Sequence, residues 1–125
     1  MEKRFFTLEE ARETLPVIRE WIGNAMRLSN HLRSFGDSVQ LLADNASANA
    51  GSPAGTTYLQ VLLALHGYLA KIQDAGCLVK SVDEGLIDFP HIRDGREVYL
   101  CWRYGEDDIE YWHEVDAGFA GRTPI

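Results

Sequence analysis

Apolar residues recur at helical spacing over the first part of the chain and at strand spacing over the last. Leu8, Ala11, Leu15, Ile18, Ile22 and Ala25 follow one another at intervals of three and four, which puts them on one face of a helix. Thr7 and Glu10 make a T-x-x-E capping box, and Phe6 stands where it can staple onto Ala11. Pro16 removes one backbone donor and is expected to kink this helix near its second turn. The stripe continues in a shifted phase through Leu28, Leu32, Phe35, Val39 and Leu42, with Gly36 and Asp37 as a point of interruption. Residues 44–57, DNASANAGSPAGTT, are small and polar and predict a flexible connector. Tyr58, Leu62, Leu65, Leu69 and Ile72 then step by four and three, the seam of a helix packed on a helix. Gly76 supplies a C-cap. Residues 7–76 are therefore expected to form a long antiparallel helical hairpin.

From Cys77 the period changes to two. Strands are predicted over Cys77–Val82, Leu86–Ile92, Arg96–Arg103 and Ile109–Val115. "DEG" turns the first pair, Asp94-Gly95 favours a type I′ hairpin, and a loop over Tyr104–Asp108 turns the last pair. The prediction is one α+β domain spanning 1–125. In it a small antiparallel β-meander of three to four strands (77–115) follows the helical hairpin, and an irregular tail (116–125) ends the chain.

A tight turn fixes which residues stand opposite one another. With Asp94-Gly95 at the tip, Arg93 pairs with Arg96, Pro90 with Tyr99 and Asp88 with Cys101. Across the last hairpin Cys101 pairs with Tyr111 and Tyr99 with His113. One face then carries Ile87, Phe89, His91, Val98, Leu100, Trp102 and Trp112, and should cover the helices with both tryptophans largely buried. The other carries Asp88, Pro90, Glu97, Tyr99, Cys101, Tyr111 and His113. Because the apolar face holds the sheet, the polar face is expected to be dispensable for folding.

Composition narrows the function classes. Hydrophobic residues make up 46% of the 125, enough for a folded core. The net charge is −7, and six acids fall between Glu106 and Asp116. That field repels phosphate backbones and anionic lipid, so neither nucleic acid nor a membrane surface is an expected partner. No apolar run approaches the ~18 residues of a membrane span. Phe5 and Phe6 are followed at once by Glu9, Glu10 and Arg12, unlike a signal peptide. The only two cysteines, Cys77 and Cys101, form no CxxC pair, which fits a reduced cytoplasmic setting.

Asp88, Glu97, Cys101 and His113 are donor types a divalent metal accepts, and the register brings them within one or two strand neighbours. Tyr99 and Tyr111 stand between them. No two form HxxE, HxH or CxxC. The competing structural account pairs Asp88 with Lys80 and stacks His113 on Tyr99. A Cys101–His113 nucleophile–base pair is the other chemical option, against the rule that mid-strand cysteines are inert small hydrophobes. His91 is expected to find its partner at the sheet–helix interface. His31 and His66 sit beside the helical stripes. Arg122 is either an anion ligand or a companion to Phe119 docking as a plug. Glu106, Asp107 and Asp108 suit a solvated turn. Phosphate loops, G-x-S-x-G and dinucleotide fingerprints do not occur.

"FTLEEARETLP" and "GLIDFPHIRDGREVYLCWRYGEDDIEYWHEVDAGFAGRTPI" resemble the bacterial, cytoplasmic and uncharacterised family called domain of unknown function 2203. The resemblance covers Phe6–Pro16 and Gly85–Ile125. It implies a fold without an activity, and that Asp88, Phe89, Trp102, His113, Gly118 and Arg122 stand at the family's motif positions. A small cytoplasmic binding or accessory protein is the leading expectation, acting as a homodimer joined through apolar helix faces around Leu62, Leu65 and Leu69. A metal-binding protein or metal-assisted hydrolase using the polar face, and a coiled-coil adaptor for a protein partner, are the rivals.

Overall fold

The computed structural model describes residues 3–35 and 53–125. Helix α1 spans Leu8–Ser34 and continues through Pro16. The capping box forms as the sequence requires: the Glu10 amide donates to the Thr7 hydroxyl at 3.0 Å and the Thr7 amide to the Glu10 carboxylate at 2.9 Å. Helix α2 spans Pro53–Asp74, so it starts inside the stretch expected to be a connector. The rest of that stretch, together with Val39 and Leu42, lies outside the described residues. At the end of α2 the Cys77 amide donates to the Ile72 carbonyl and the Gly76 amide to the Gln73 carbonyl. Gly76 takes φ +102°, the left-handed geometry this paired helix stop demands. The two helices run antiparallel. Phe35 at the end of α1 meets Tyr58 near the start of α2, ring centres 6.0 Å apart, and Arg4 before α1 donates to the Ala75 carbonyl after α2.

Five antiparallel strands follow in sequential order: β1 Leu78–Ser81, β2 Leu86–Arg93, β3 Arg96–Arg103, β4 Tyr111–Glu114 and β5 Thr123–Pro124. The architecture is α+β, with one strand more than the predicted meander. That strand comes from the tail, where a short 3-10 turn over Phe119–Gly121 folds the chain back against β4. The tail lacked a readable period because two paired residues are too few to show one. The register is the predicted one across β2–β3 and β3–β4, from Arg93 with Arg96 to Asp88 with Cys101 and Tyr99 with His113. Asp94 and Gly95 both take positive φ, 52° and 79°, as a type I′ turn needs.

The core lies between α1 and one sheet face. Ala11, Leu15, Ile18, Ile22 and Ala25 meet Ile87, Phe89, Leu100 and Trp102, with Phe6, Ile72 and Ile109 closing the ends. Gly85 sits where the chain re-enters the sheet. At φ +65°, a Cβ there would stand 2.4 Å from the Tyr104 Cβ, so this position admits no side chain. Trp102 is fully buried. Trp112 shares its face but is only half-buried. It lies under the Arg93 guanidinium, 4.6 Å from the ring centre, and its indole N–H has no partner among the described residues. Both tryptophans lie on the expected face and pack on the core, Trp102 completely and Trp112 in part. Trp112 stands on β4 near the sheet edge, where the helices no longer cover it fully.

The acidic loop is also not a freely solvated turn. The Arg12 guanidinium donates to the Ile109 carbonyl at 2.9 Å, Arg19 to the Asp107 carbonyl at 3.0 Å, and the Trp102 indole to the Glu106 carbonyl at 3.0 Å. These bonds tie the loop to α1 and hold Ile109 in the core.

Candidate metal centre

The second sheet face is closed rather than open. Asp88 is 1% exposed, Cys101 0% and His113 2%. They stand on β2, β3 and β4, brought side by side by the register of Asp88 with Cys101 and Tyr99 with His113. One donor atom from each lies within 4.8 Å of the other two. Glu97 is on the same strand face, but its carboxylate is ion-paired with Lys3, away from this group. Three of the four expected donors are thus together and the fourth is engaged elsewhere.

The histidine fixes the chemistry of the cluster. Its Nδ1 lies 2.7 Å from the Glu114 carbonyl. A carbonyl only accepts, so Nδ1 carries a proton. Its Nε2 faces the Asp88 carboxylate at 3.1 and 3.2 Å. If Nε2 and the carboxylate were both unprotonated, two lone pairs would oppose each other at a buried site. The pair therefore holds one proton between Nε2 and the carboxyl, or another cation in its place.

Burial pushes the Asp88 carboxyl above its ordinary range, partly offset by the charge and hydrogen bond of His113 and by the charge of Lys80. Lys80 acts on Asp88 only through space. The partner in contact is His113, which departs from the expected Asp88–Lys80 pair. The expected stacking is present as an edge-on contact, with the Tyr99 and His113 ring centres 5.6 Å apart. Burial, reinforced by the Asp88 charge, raises the Cys101 thiol to about 12. A thiol so protonated is a poor nucleophile, and both His113 ring nitrogens are engaged by Glu114 and Asp88 rather than by Cys101, which weighs against the Cys101–His113 nucleophile–base option.

The supporting residues complete the enclosure. Arg122 reaches back from the tail to within 4.0 Å of the Cys101 sulfur. It is held by two bonds to Glu106 at 3.0 and 2.6 Å and lies over the Tyr111 and Phe119 rings at 4.0 and 4.1 Å. Burial alone would raise Glu106, but the bonds from Arg122 hold it below its usual value. Phe119 is therefore a platform for Arg122 rather than a plug in the core. Elsewhere, His91 accepts the role expected of it, with Nδ1 2.6 Å from the Phe6 carbonyl, while His31 and His66 are exposed. The sequence reading missed the anchoring of Glu106. Its signal was Arg122 sixteen residues on, legible only once the tail was known to return.

A family model described as an uncharacterized conserved protein (DUF2203) matches residues 4–125. The chain belongs to this family. No curated protein and no solved structure matches the chain. The DUF2203 match takes in all five strands and the tail, so the Asp88–Cys101–His113 cluster and its Arg122 cover fall wholly inside it. Among the described residues no helix is long and apolar enough to cross a membrane.

Proposed function

We propose that this protein binds a single divalent transition-metal ion, of the zinc class, through Asp88 Oδ, Cys101 Sγ and His113 Nε2. The observation that carries this reading is the convergence of an imidazole, a carboxylate and a thiol, all buried, with one donor atom from each within 4.8 Å of the others. A metal-binding imidazole commonly donates its other N–H to a carbonyl, which orients the ring and fixes the tautomer. His113 has that arrangement through Glu114. The mixed sulfur, nitrogen and oxygen set suits zinc or cobalt and disfavours calcium and magnesium, which prefer all-oxygen sites. Three protein donors leave a fourth tetrahedral position for water or a ligand.

Zinc titration of chelator-treated protein tests this. A dissociation constant of about 10 µM or tighter is expected, equivalent to roughly −7 kcal/mol. Binding should displace the Cys101 proton, since that thiol titrates at about 12, and the proton shared by Asp88 and His113. Two protons should therefore appear in a weakly buffered indicator solution, and affinity should weaken as pH falls. Cys101→Ala should abolish tight binding. Zinc weaker than millimolar, or binding without proton release, would count against the site.

We also propose that two copies associate through the outer face of α2. Leu65 and Leu69 pack against the core, so the seam named from the sequence is used within the chain. Leu59 and Leu63, one turn apart, remain 53% and 62% exposed. Light scattering is expected to give a dimer mass that reverts to monomer in a Leu59→Glu/Leu63→Glu variant. A monomer mass for the unaltered protein at high concentration would overturn this.

A further inference from the structure

A second cavity, separate from the Asp88 cluster, opens between the end of α2, β1 and the chain entering α1. Its volume is about 710 Å³, within the range of small-molecule sites. Its walls combine apolar Leu78 and Pro90 with Lys3, Arg4 and Lys80, against one carboxylate, Asp74. With Lys3 paired to Glu97, Arg4 and Lys80 against Asp74 leave a local excess of +1 in a chain of net charge −7. Electrostatic economy alone would scatter those cations among the acids.

The cations are also differently occupied. Lys3 is ion-paired with Glu97. Arg4 is fixed in place, donating to the Ala75 carbonyl at 3.0 Å and lying 4.0 Å over the Phe6 ring, and it makes no ion pair among the described residues. Lys80 stands 5.1 Å over the Tyr99 ring and likewise has no ion pair among the described residues. The Tyr99 ring in turn touches His113. The site therefore offers an apolar wall and two cations without an ion pair among the described residues.

We infer that this cavity binds an anionic small molecule, a carboxylate or phosphate carried on an apolar body, with Lys80 and Arg4 as its counter-charges. None of Asp88, Cys101 or His113 lines it, so the inference stands apart from the metal reading and is tested on metal-free protein.

The experiment compares three probes of one shape by calorimetry in chelator: 2-naphthoate, 2-naphthyl phosphate and neutral 2-naphthamide. Both anions should bind at least about tenfold more tightly than the amide, which is roughly 1.4 kcal/mol of charge preference. The tighter of the two identifies the headgroup. Lys80→Glu, at an exposed position, should erase the preference while the neutral amide binds as before and thermal unfolding stays cooperative. An equal affinity for anions and amide, no binding of either anion at several millimolar, or an undiminished preference in Lys80→Glu would each overturn the inference.

Discussion

His113→Ala is expected to destabilise the fold by about 3–5 kcal/mol at neutral pH, the usual loss when one partner of a buried pair is removed. The pair is enclosed, with His113 2% and Asp88 1% exposed, so water cannot replace the lost contact. Burial already raises the Asp88 carboxyl, and His113 is the strongest influence holding it down. Without the imidazole the folded-state value rises further above the ordinary one near ~4. A carboxyl that is raised in the folded state binds its proton more tightly there than in the unfolded chain. Its stabilising effect is then full below the unfolded value and is lost as pH rises through the folded one. The variant should therefore lose more stability between pH 5 and pH 8 than the parent does. Asp88→Asn combined with His113→Ala should recover part of the loss, because no carboxylate is stranded. Urea unfolding at the two pH values measures all three variants, and an unchanged midpoint for His113→Ala would show that the pair does not support the fold. This expectation departs from the reading of the polar face as dispensable for folding.

Trp102→Ala is expected to cost about 3–5 kcal/mol, as for other large buried aromatics, and to lower the melting temperature by roughly 10–20 °C. Trp102 is 0% exposed and does two things. Its ring fills the space between β3 and α1, with the Arg19 guanidinium 5.7 Å from its centre. Its indole N–H holds the Glu106 carbonyl, and Glu106 in turn holds Arg122. Loss of the ring should thus loosen the acidic loop and the tail together. Trp112→Ala should cost distinctly less, since that ring is half-buried and its N–H has no partner among the described residues. Thermal melts of the two variants side by side decide the point, and equal losses would contradict the unequal burial.

The sequence by itself determined every element whose cause is local. Thr7 and Glu10 cap α1, Gly76 ends α2, and Asp94-Gly95 sets the hairpin. Because side chains alternate with period two, that one turn carried the register to β3, and the second turn carried it to β4. The grouping of Asp88, Cys101 and His113 on one face was legible for this reason.

Tertiary structure decided whatever depended on residues distant in the chain. Glu97 is ion-paired with Lys3, which reaches it from the N-terminal segment. The polar face is closed because the tail returns, pairs Thr123 with Trp112 and brings Arg122 across Tyr111 and beside Cys101. A two-residue strand carries no period, and a bond from Arg122 to Glu106 depends on the path between them rather than on either residue. Burial followed from that closure. It turned a cysteine and an aspartate that would titrate normally in water into a protonated thiol and a raised carboxyl, because burial penalises each charge that is left unpaired.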